Sequence, residues 1–185
     1  MQDTSVGQGD GQDEWIGVLG ATCVTGDFAL SRCADAGHRV LALSRTADEG
    51  VRKSIIWRRA KHNAALQHSS NVPLWICLAP VWVLPDYFLL FEASGVRRLV
   101  AVSSTSRFTK STSSDASERA TVQRLIDGER RLQEWAARRG IEWVILRPTM
   151  IYGLGRDRNV SAVARFVRRF GFFPVLGEAG GVGPP

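Results

Sequence analysis

The chain has 185 residues, 44% of them apolar and 23% charged, and a formal net charge of +6. This length and composition suit one globular domain with a substantial core and exclude a disordered chain. The longest apolar run, about Leu74–Leu84, is broken by proline and too short to span a bilayer, which excludes a helical membrane anchor there.

Lys53, Lys61 and Lys110 are the only lysines, so the positive charge is almost all arginine. The arginines are scattered, without a nucleic-acid motif or interleaved stacking aromatics. A solvated surface is therefore the expectation, a phosphate-bearing ligand the next, and nucleic acid a distant third. Cys23, Cys33 and Cys77 are odd in number and show no C-x-x-C spacing. Neither a disulfide framework nor a zinc site is expected, and no other metal. With no secretory signal at the start, a reducing cytoplasm is the expected compartment.

Residues 1–13 are polar and acidic and read as a flexible tail. Residues 14–177 read as one domain, and 178–185, rich in glycine and proline, as a loose C-terminal tail. Within the domain, apolar runs alternate with helical patterns. Strands are predicted at Trp15–Leu19, Arg39–Leu43, Ser54–Trp57, Leu74–Ala79, Leu99–Ser103 and Trp143–Leu146. Most are continuously apolar, as parallel strands covered on both faces should be. Helices are predicted at Asp27–Ala36, Pro85–Ser94, Ser117–Arg138 and Val160–Arg169. Gly37, Gly95 and Gly140 each stand between a helical run and a strand, where a C-terminal cap belongs. Asp115 and Glu118 have the spacing of a capping pair ahead of the long helix. Arg58–Asn71 is polar, with a helical hint only around Ala64–Gln67. Repeated strand–helix–strand units predict an α/β fold, a doubly wound parallel sheet in the order 3-2-1-4-5-6.

The turn after the first strand carries the chemistry. Gly20-Ala-Thr22-Cys23-Val24-Thr-Gly26 leads an apolar strand into a helix. Such a turn brings backbone close to a pyrophosphate and offers it the N–H groups and partial positive charge of a helix N-terminus. Gly20, Thr22, Cys23, Val24 and Gly26 are the expected contacts to a dinucleotide. A side chain at Cys23, where glycine would admit the phosphates, is expected to add bulk and force an unfavourable φ. The cost would be about 1–2 kcal/mol, or roughly a tenfold loss of affinity. After the second strand come Ser44 and Arg45, where an NAD-preferring site places a carboxylate for the ribose. An arginine there suits a 2′-phosphate, so NADP is the expected cofactor, with NAD the alternative because Asp48 lies three residues on.

From Trp15 to about Gly177 the chain resembles the front part of an extended short-chain dehydrogenase/reductase, of the NAD-dependent epimerase/dehydratase kind. Four pieces carry the resemblance. They are the glycine turn, Leu78-Ala79-Pro80 closing the fourth strand, Leu99-Val-Ala-Val-Ser103-Ser-Thr105-Ser106, and Leu146-Arg-Pro148-Thr-Met-Ile-Tyr152-Gly153. The resemblance implies that Leu78, Ala79, Ser103 and Pro148 line the cofactor cleft and that Thr105 hydrogen-bonds a substrate oxygen. It also implies hydride transfer on a hydroxyl or carbonyl of a nucleotide-sugar-like substrate. The family's Tyr-x-x-x-Lys is missing: four residues beyond Tyr87 and Tyr152 stand Phe91 and Arg156. Counted back from Arg147, that motif falls at Thr121 and Leu125, which cannot replace it. A different proton donor, such as Tyr152 from the loop after the sixth strand, is the alternative. A non-catalytic subunit that senses the cofactor or serves as scaffold is the rival reading. The family's closing strand and substrate lobe have no counterpart before Pro185, as in a truncated form.

Overall fold

The computed structural model describes residues 14–46, 49–60, 71–149, 151 and 160–172. The chain divides into two compact units, Met1–Thr149 and Met150–Pro185. In the second unit the described structure is one helix, α5 (Val160–Phe170).

Among its described residues the first unit holds a sheet of seven strands. These are β1 (Trp15–Leu19), β2 (Arg39–Ser44), β3 (Gly50–Arg52), β4 (Ile55–Arg59), β5 (Leu74–Cys77), β6 (Arg98–Val102) and β7 (Glu142–Leu146). Their order is β3-β4-β2-β1-β5-β6-β7, and every pairing is parallel except β3 with β4. Six of the strands are the expected ones in the expected order. β3 is an addition: a three-residue antiparallel edge, largely exposed, joined to β4 through Lys53 at φ 57°.

Alternate side chains of each strand enter two separate cores, as the period-2 geometry requires. Trp15, Leu19, Leu41, Leu43, Trp75 and Leu99 face one side, where α2 (Phe88–Ala93) and α4 (Ala116–Arg139) cover them. Ile16, Val18, Val40 and Ala42 face the other, under Leu30 of α1 (Val24–Asp35). A Cβ on Gly17 would strike the Trp75 ring at 2.5 Å, so a bare backbone in β1 makes room for the neighbouring indole. Its polar tip is satisfied too: Trp75 Nε1 donates to Ser94 Oγ at 3.1 Å.

Helix ends follow local chemistry. The side chain of Asp115 accepts the N–H of Ser117 at 2.7 Å and caps α4 at its start. Gly140 at φ 65° ends it in the left-handed conformation that glycine adopts without a Cβ penalty. Helix α1 begins at Val24, three residues before the predicted start, with Cys23 as its cap. The predicted helix at Pro85–Ser94 is shared by a 3-10 segment, Val81–Tyr87, and the short α2. One further short helix, α3 (Ser106–Thr109), follows β6. The terminal tails and the Ala64–Gln67 hint lie outside the described residues.

Candidate functional site

The carboxyl ends of parallel strands β1, β2 and β5 open onto one cleft of about 320 Å³. Its floor is the glycine turn. Gly20 has φ +83°, and a Cβ there would lie 2.5 Å from the backbone nitrogen of Ala79. Only glycine lets the β1 turn approach the end of β5 this closely. The turn is closed by Cys23 N–H donating to Gly20 O at 3.1 Å, and by Gly20 and Ala21 N–H both donating to Leu43 O.

Cys23 does not carry the expected backbone strain. Its φ of −75° and ψ of 168° are ordinary extended values, those of a helix N-cap. The reason is that α1 begins one residue later, so position 23 caps the helix instead of turning through the left-handed region. Bulk at the cleft wall is the whole consequence of the side chain. Gly26 serves packing: it is buried in the first turn of α1, where a Cβ would collide with the carbonyl of Ala21.

Ser44 and Arg45 form the second wall. Thr22 Oγ1 and Ser44 Oγ are 2.7 Å apart, tying the glycine turn to the end of β2. Arg45 is exposed and lines the cleft with Ala60 and Tyr87. Burial pushes the Tyr87 phenol above its ordinary range, against the nearby positive charge of Arg45. Trp82 and Val83 of the 3-10 segment complete the wall. A Cβ on Gly128 of α4 would meet Trp82 Cα at 2.7 Å, so the long helix presses this segment into place.

A second, shallower depression of about 210 Å³ continues past Trp82 between the ends of β5 and β6. Leu78, Ala79, Pro80 and Trp82 border both spaces. Val102, Ser103, Ser104 and Leu125 line the second alone. Its hydroxyls are committed elsewhere. Ser103 Oγ donates to Glu129 at 2.5 Å, and Ser104 Oγ to Ser106 Oγ at 3.0 Å. The Thr105 hydroxyl donates to Pro148 O at 3.3 Å, and Thr105 N–H to the same carbonyl at 3.2 Å. Those bonds staple the end of β6 to the end of β7.

Thr121 and Leu125 stand one turn apart on α4. Thr121 is exposed, its hydroxyl given to Ser117 O at 3.0 Å, and Leu125 is buried against the second depression. Neither places an ionisable group there. Behind them lies a cluster that the residue pattern did not reveal. The carboxylate of Glu129 is fully buried and accepts bonds from Ser103, Arg107 and Arg147.

Of the expected contacts, Gly20, Thr22, Cys23, Ser44, Arg45, Leu78 and Ala79 line the first space. Ser103 borders the second, and Val24, Gly26, Thr105 and Pro148 line neither. Tyr152 and Asp48 lie outside the described residues. Ala60, Trp82, Val83 and Tyr87 were not anticipated: Ala60 follows a strand, Trp82 and Val83 sit in a connection without periodicity, and Tyr87 falls in a predicted helix whose first turn is 3-10. The first space suits the adenosine and phosphate part of a dinucleotide: a glycine-lined helix N-terminus, a strand-end hydroxyl and an exposed guanidinium. The second offers a nicotinamide carboxamide no uncommitted side-chain donor among the residues that line it.

Among the described residues, no helix is long and apolar enough to cross a membrane, and no group of three or more metal-ligating side chains converges. No protein-family model matches the chain, and no curated protein sequence matches it. Solved structures do match. The UDP-N-acetylglucosamine 4-epimerase of Bacillus cereus superposes with a TM-score of 0.64 over 85% of this chain and 60% of its own, at 16% identity. The UDP-glucose 4-epimerase of Thermotoga maritima, solved with UDP-glucose, gives 0.61 over 84% and 62%, at 15% identity. A short-chain dehydrogenase of Leptospira borgpetersenii with bound NAD+ gives 0.58 over 85% and 78%, at 13% identity. The chain thus spans about 60% of the length of these epimerases. Its fold is the Rossmann fold that such epimerases and short-chain dehydrogenases share.

Proposed function

We propose that this chain, built on the fold of nucleotide-sugar epimerases and short-chain dehydrogenases, binds a nicotinamide dinucleotide in the β1–β2–β5 cleft, with NADP preferred over NAD. The observation that carries the reading is the meeting of the Gly20 turn, the cap of α1 and the Arg45 guanidinium around one space. The N–H groups that the first turn of α1 leaves without helical partners hold the pyrophosphate, and Arg45 pairs with the 2′-phosphate in a charge-assisted contact. When bound, the cofactor supplies hydride transfer to or from a hydroxyl or carbonyl carbon. The substrate class is nucleotide-sugar-like, a reading supported by the epimerases that share the fold, with Thr105 Oγ1 accepting a hydrogen bond from a substrate hydroxyl while its own O–H stays donated to Pro148 O. Three free thiols fit a reducing, cytoplasmic setting.

A second reading has its own observation. Counting back from Arg147 sets Leu125, a buried aliphatic side chain, at about the position from which the family's lysine would lower a tyrosine pKa. That favours a non-catalytic subunit which senses the cofactor or uses it for stability. Calorimetric titration with NADPH and NADH tests the shared premise. Both should bind, NADPH more tightly; heat from neither would sink the nucleotide assignment.

A further inference from the structure

We propose that Arg107 and Arg147 form a phosphate-binding site at the carboxyl ends of β6 and β7, separate from the nucleotide cleft. Its ligand class is a dianionic phosphate group, free or carried on an organic molecule. The inference does not depend on what the cleft binds and goes beyond it.

The first observation is a surplus of positive charge. One carboxylate, that of Glu129, faces two guanidinium groups. Arg147 meets it with two nitrogens, and the Ser103 hydroxyl adds a further bond. That already gives the buried carboxylate its counter-ion. Arg107 reaches the same carboxylate through Nη1 alone and adds a positive charge that the cluster does not balance. Two guanidiniums drawn to one carboxylate repel each other, and a dianion bound between them removes that repulsion.

The second observation is access. Glu129 is fully buried, whereas the side chains of Arg107 and Arg147 are 28% and 30% exposed, so the pair is anchored from within and reachable from outside. Among the described residues, Arg107 Nε and Nη2 and Arg147 Nη1 hold no partner, and such forks match phosphate oxygens. Phe108 lies within 6 Å of both guanidiniums and is itself 61% exposed, which leaves a ring surface beside the donors. The third observation is position. All these parallel strands end at one edge of the sheet, where ligands of this architecture bind. β7 lies three strand spacings from β1, about 14 Å. A phosphate held there is therefore not the pyrophosphate at the Gly20 turn.

Calorimetric titration of the full chain in low-salt buffer compares inorganic phosphate with phenyl phosphate, whose ring can lie on Phe108. Both should bind at millimolar concentration. Arg107→Ala leaves Glu129 bonded to Arg147 and Ser103, so the fold should stand while phosphate weakens by about fivefold or more. Arg107→Lys, which keeps the charge and loses the fork, should fall in between. The loss on Arg107→Ala should be the same in an Arg45→Ala background, because the two sites share no residue. Glu129→Gln removes the one negative charge of the cluster, so phosphate should raise its thermal midpoint by more than that of the native chain. Tighter binding of phenyl phosphate assigns the site to phosphate esters, and tighter binding of the inorganic ion assigns it to free phosphate. Unchanged phosphate affinity in Arg107→Ala would overturn the site, as would a native chain that gives no heat with either probe. No heat from NADPH beside an intact Arg107-dependent phosphate signal would overturn the nucleotide cleft alone.

Discussion

Arg147 grips the buried carboxylate of Glu129 with two nitrogens, Nη2 at 2.7 Å from Oε2 and Nε at 3.1 and 3.2 Å from the two oxygens. Arg107 joins from α3, and Ser103 from the end of β6. Phe108 lies over both guanidinium groups, their Cζ atoms 5.4 and 5.8 Å from its centroid. One carboxylate thus ties β6, α3, α4 and β7 together beneath the second depression. Through Ser103 it fixes the end of β6, which borders that depression.

Removing that carboxylate should be costly. Glu129→Gln keeps the shape and leaves two guanidiniums without their counter-ion. Breaking a buried pair from one side costs about 3–5 kcal/mol, and the partial exposure of both arginines puts the expectation near the lower figure. Urea unfolding should show the loss as a lower midpoint with an unchanged slope. A change under about 1 kcal/mol would place the cluster among marginal surface pairs.

The same residue sets an acid limit. Burial pushes the Glu129 carboxyl up, but bonds from Arg147 and Ser103 and the charges of Arg147 and Arg107 outweigh it, leaving it below the ordinary range. A group depressed in the folded state stabilises fully above its unfolded value of about 4.3, and that stability is lost as pH falls through the lower folded value. Thermal midpoints measured from pH 7 down to 3 should fall on the acid side for the native chain. Glu129→Gln should show a shallower fall, since its titration is gone. Parallel curves would contradict the assignment.

Arg45→Ala tests the reading of the 2′-phosphate. A charge-assisted contact of this kind is worth roughly 1.5–3 kcal/mol, so NADPH should weaken by a factor of about ten or more. NADH, lacking the phosphate, should change by less than about threefold. Equal losses would mean that Arg45 serves the fold or the pyrophosphate. Cys23→Gly makes a useful companion: with no φ strain to relieve, it should shift both cofactors equally and by no more than a few-fold.

Gly20→Ala separates backbone from side-chain effects. The substitution meets φ +83° and a 2.5 Å approach to the backbone of Ala79 at once. It should cost about 1–3 kcal/mol in strain and abolish measurable nucleotide binding, because the turn must move away from β5. Retained affinity would mean the phosphates lie elsewhere.

What the residue pattern revealed, and what it hid, follows from range. β1, β2, β5 and β6 are nearly continuous apolar runs, and Gly37 and Gly95 mark the helix ends ahead of β2 and β6, so the strands were legible locally. β3 was not: Gly50-Val51-Arg52 is short and largely exposed, and only its pairing with β4 makes it a strand. The start of α1 was read late because Gly26 looks like loop, whereas its lack of a Cβ is what lets the helix begin beside Ala21. Trp82 and Tyr87 enter the cleft from a 3-10 connection between Pro80 and α2, which has no period to read. Glu129 did leave a signal. It shares the stripe of α4 that buries Val122, Leu125, Leu132 and Ala136, and a carboxylate on an apolar stripe asks for a partner.

The final expectation concerns turnover, and it is negative. Thr121 has given its hydroxyl to its own helix and Leu125 is buried, so α4 presents no proton donor to the second depression. General acid–base catalysis contributes about 10²–10⁴-fold, so cofactor binding alone leaves a slow reaction. A panel of nucleotide sugars, followed by cofactor absorbance, should therefore be blank for the native chain. Thr105→Ala should leave it blank. Leu125→Lys alone should destabilise by about 3 kcal/mol or more, as an unpaired charge placed in a buried position does. Robust turnover that survives Thr105→Ala and Tyr152→Phe would show chemistry by groups outside this account. Turnover lost on Tyr152→Phe would assign the proton to that tyrosine and overturn the negative expectation directly.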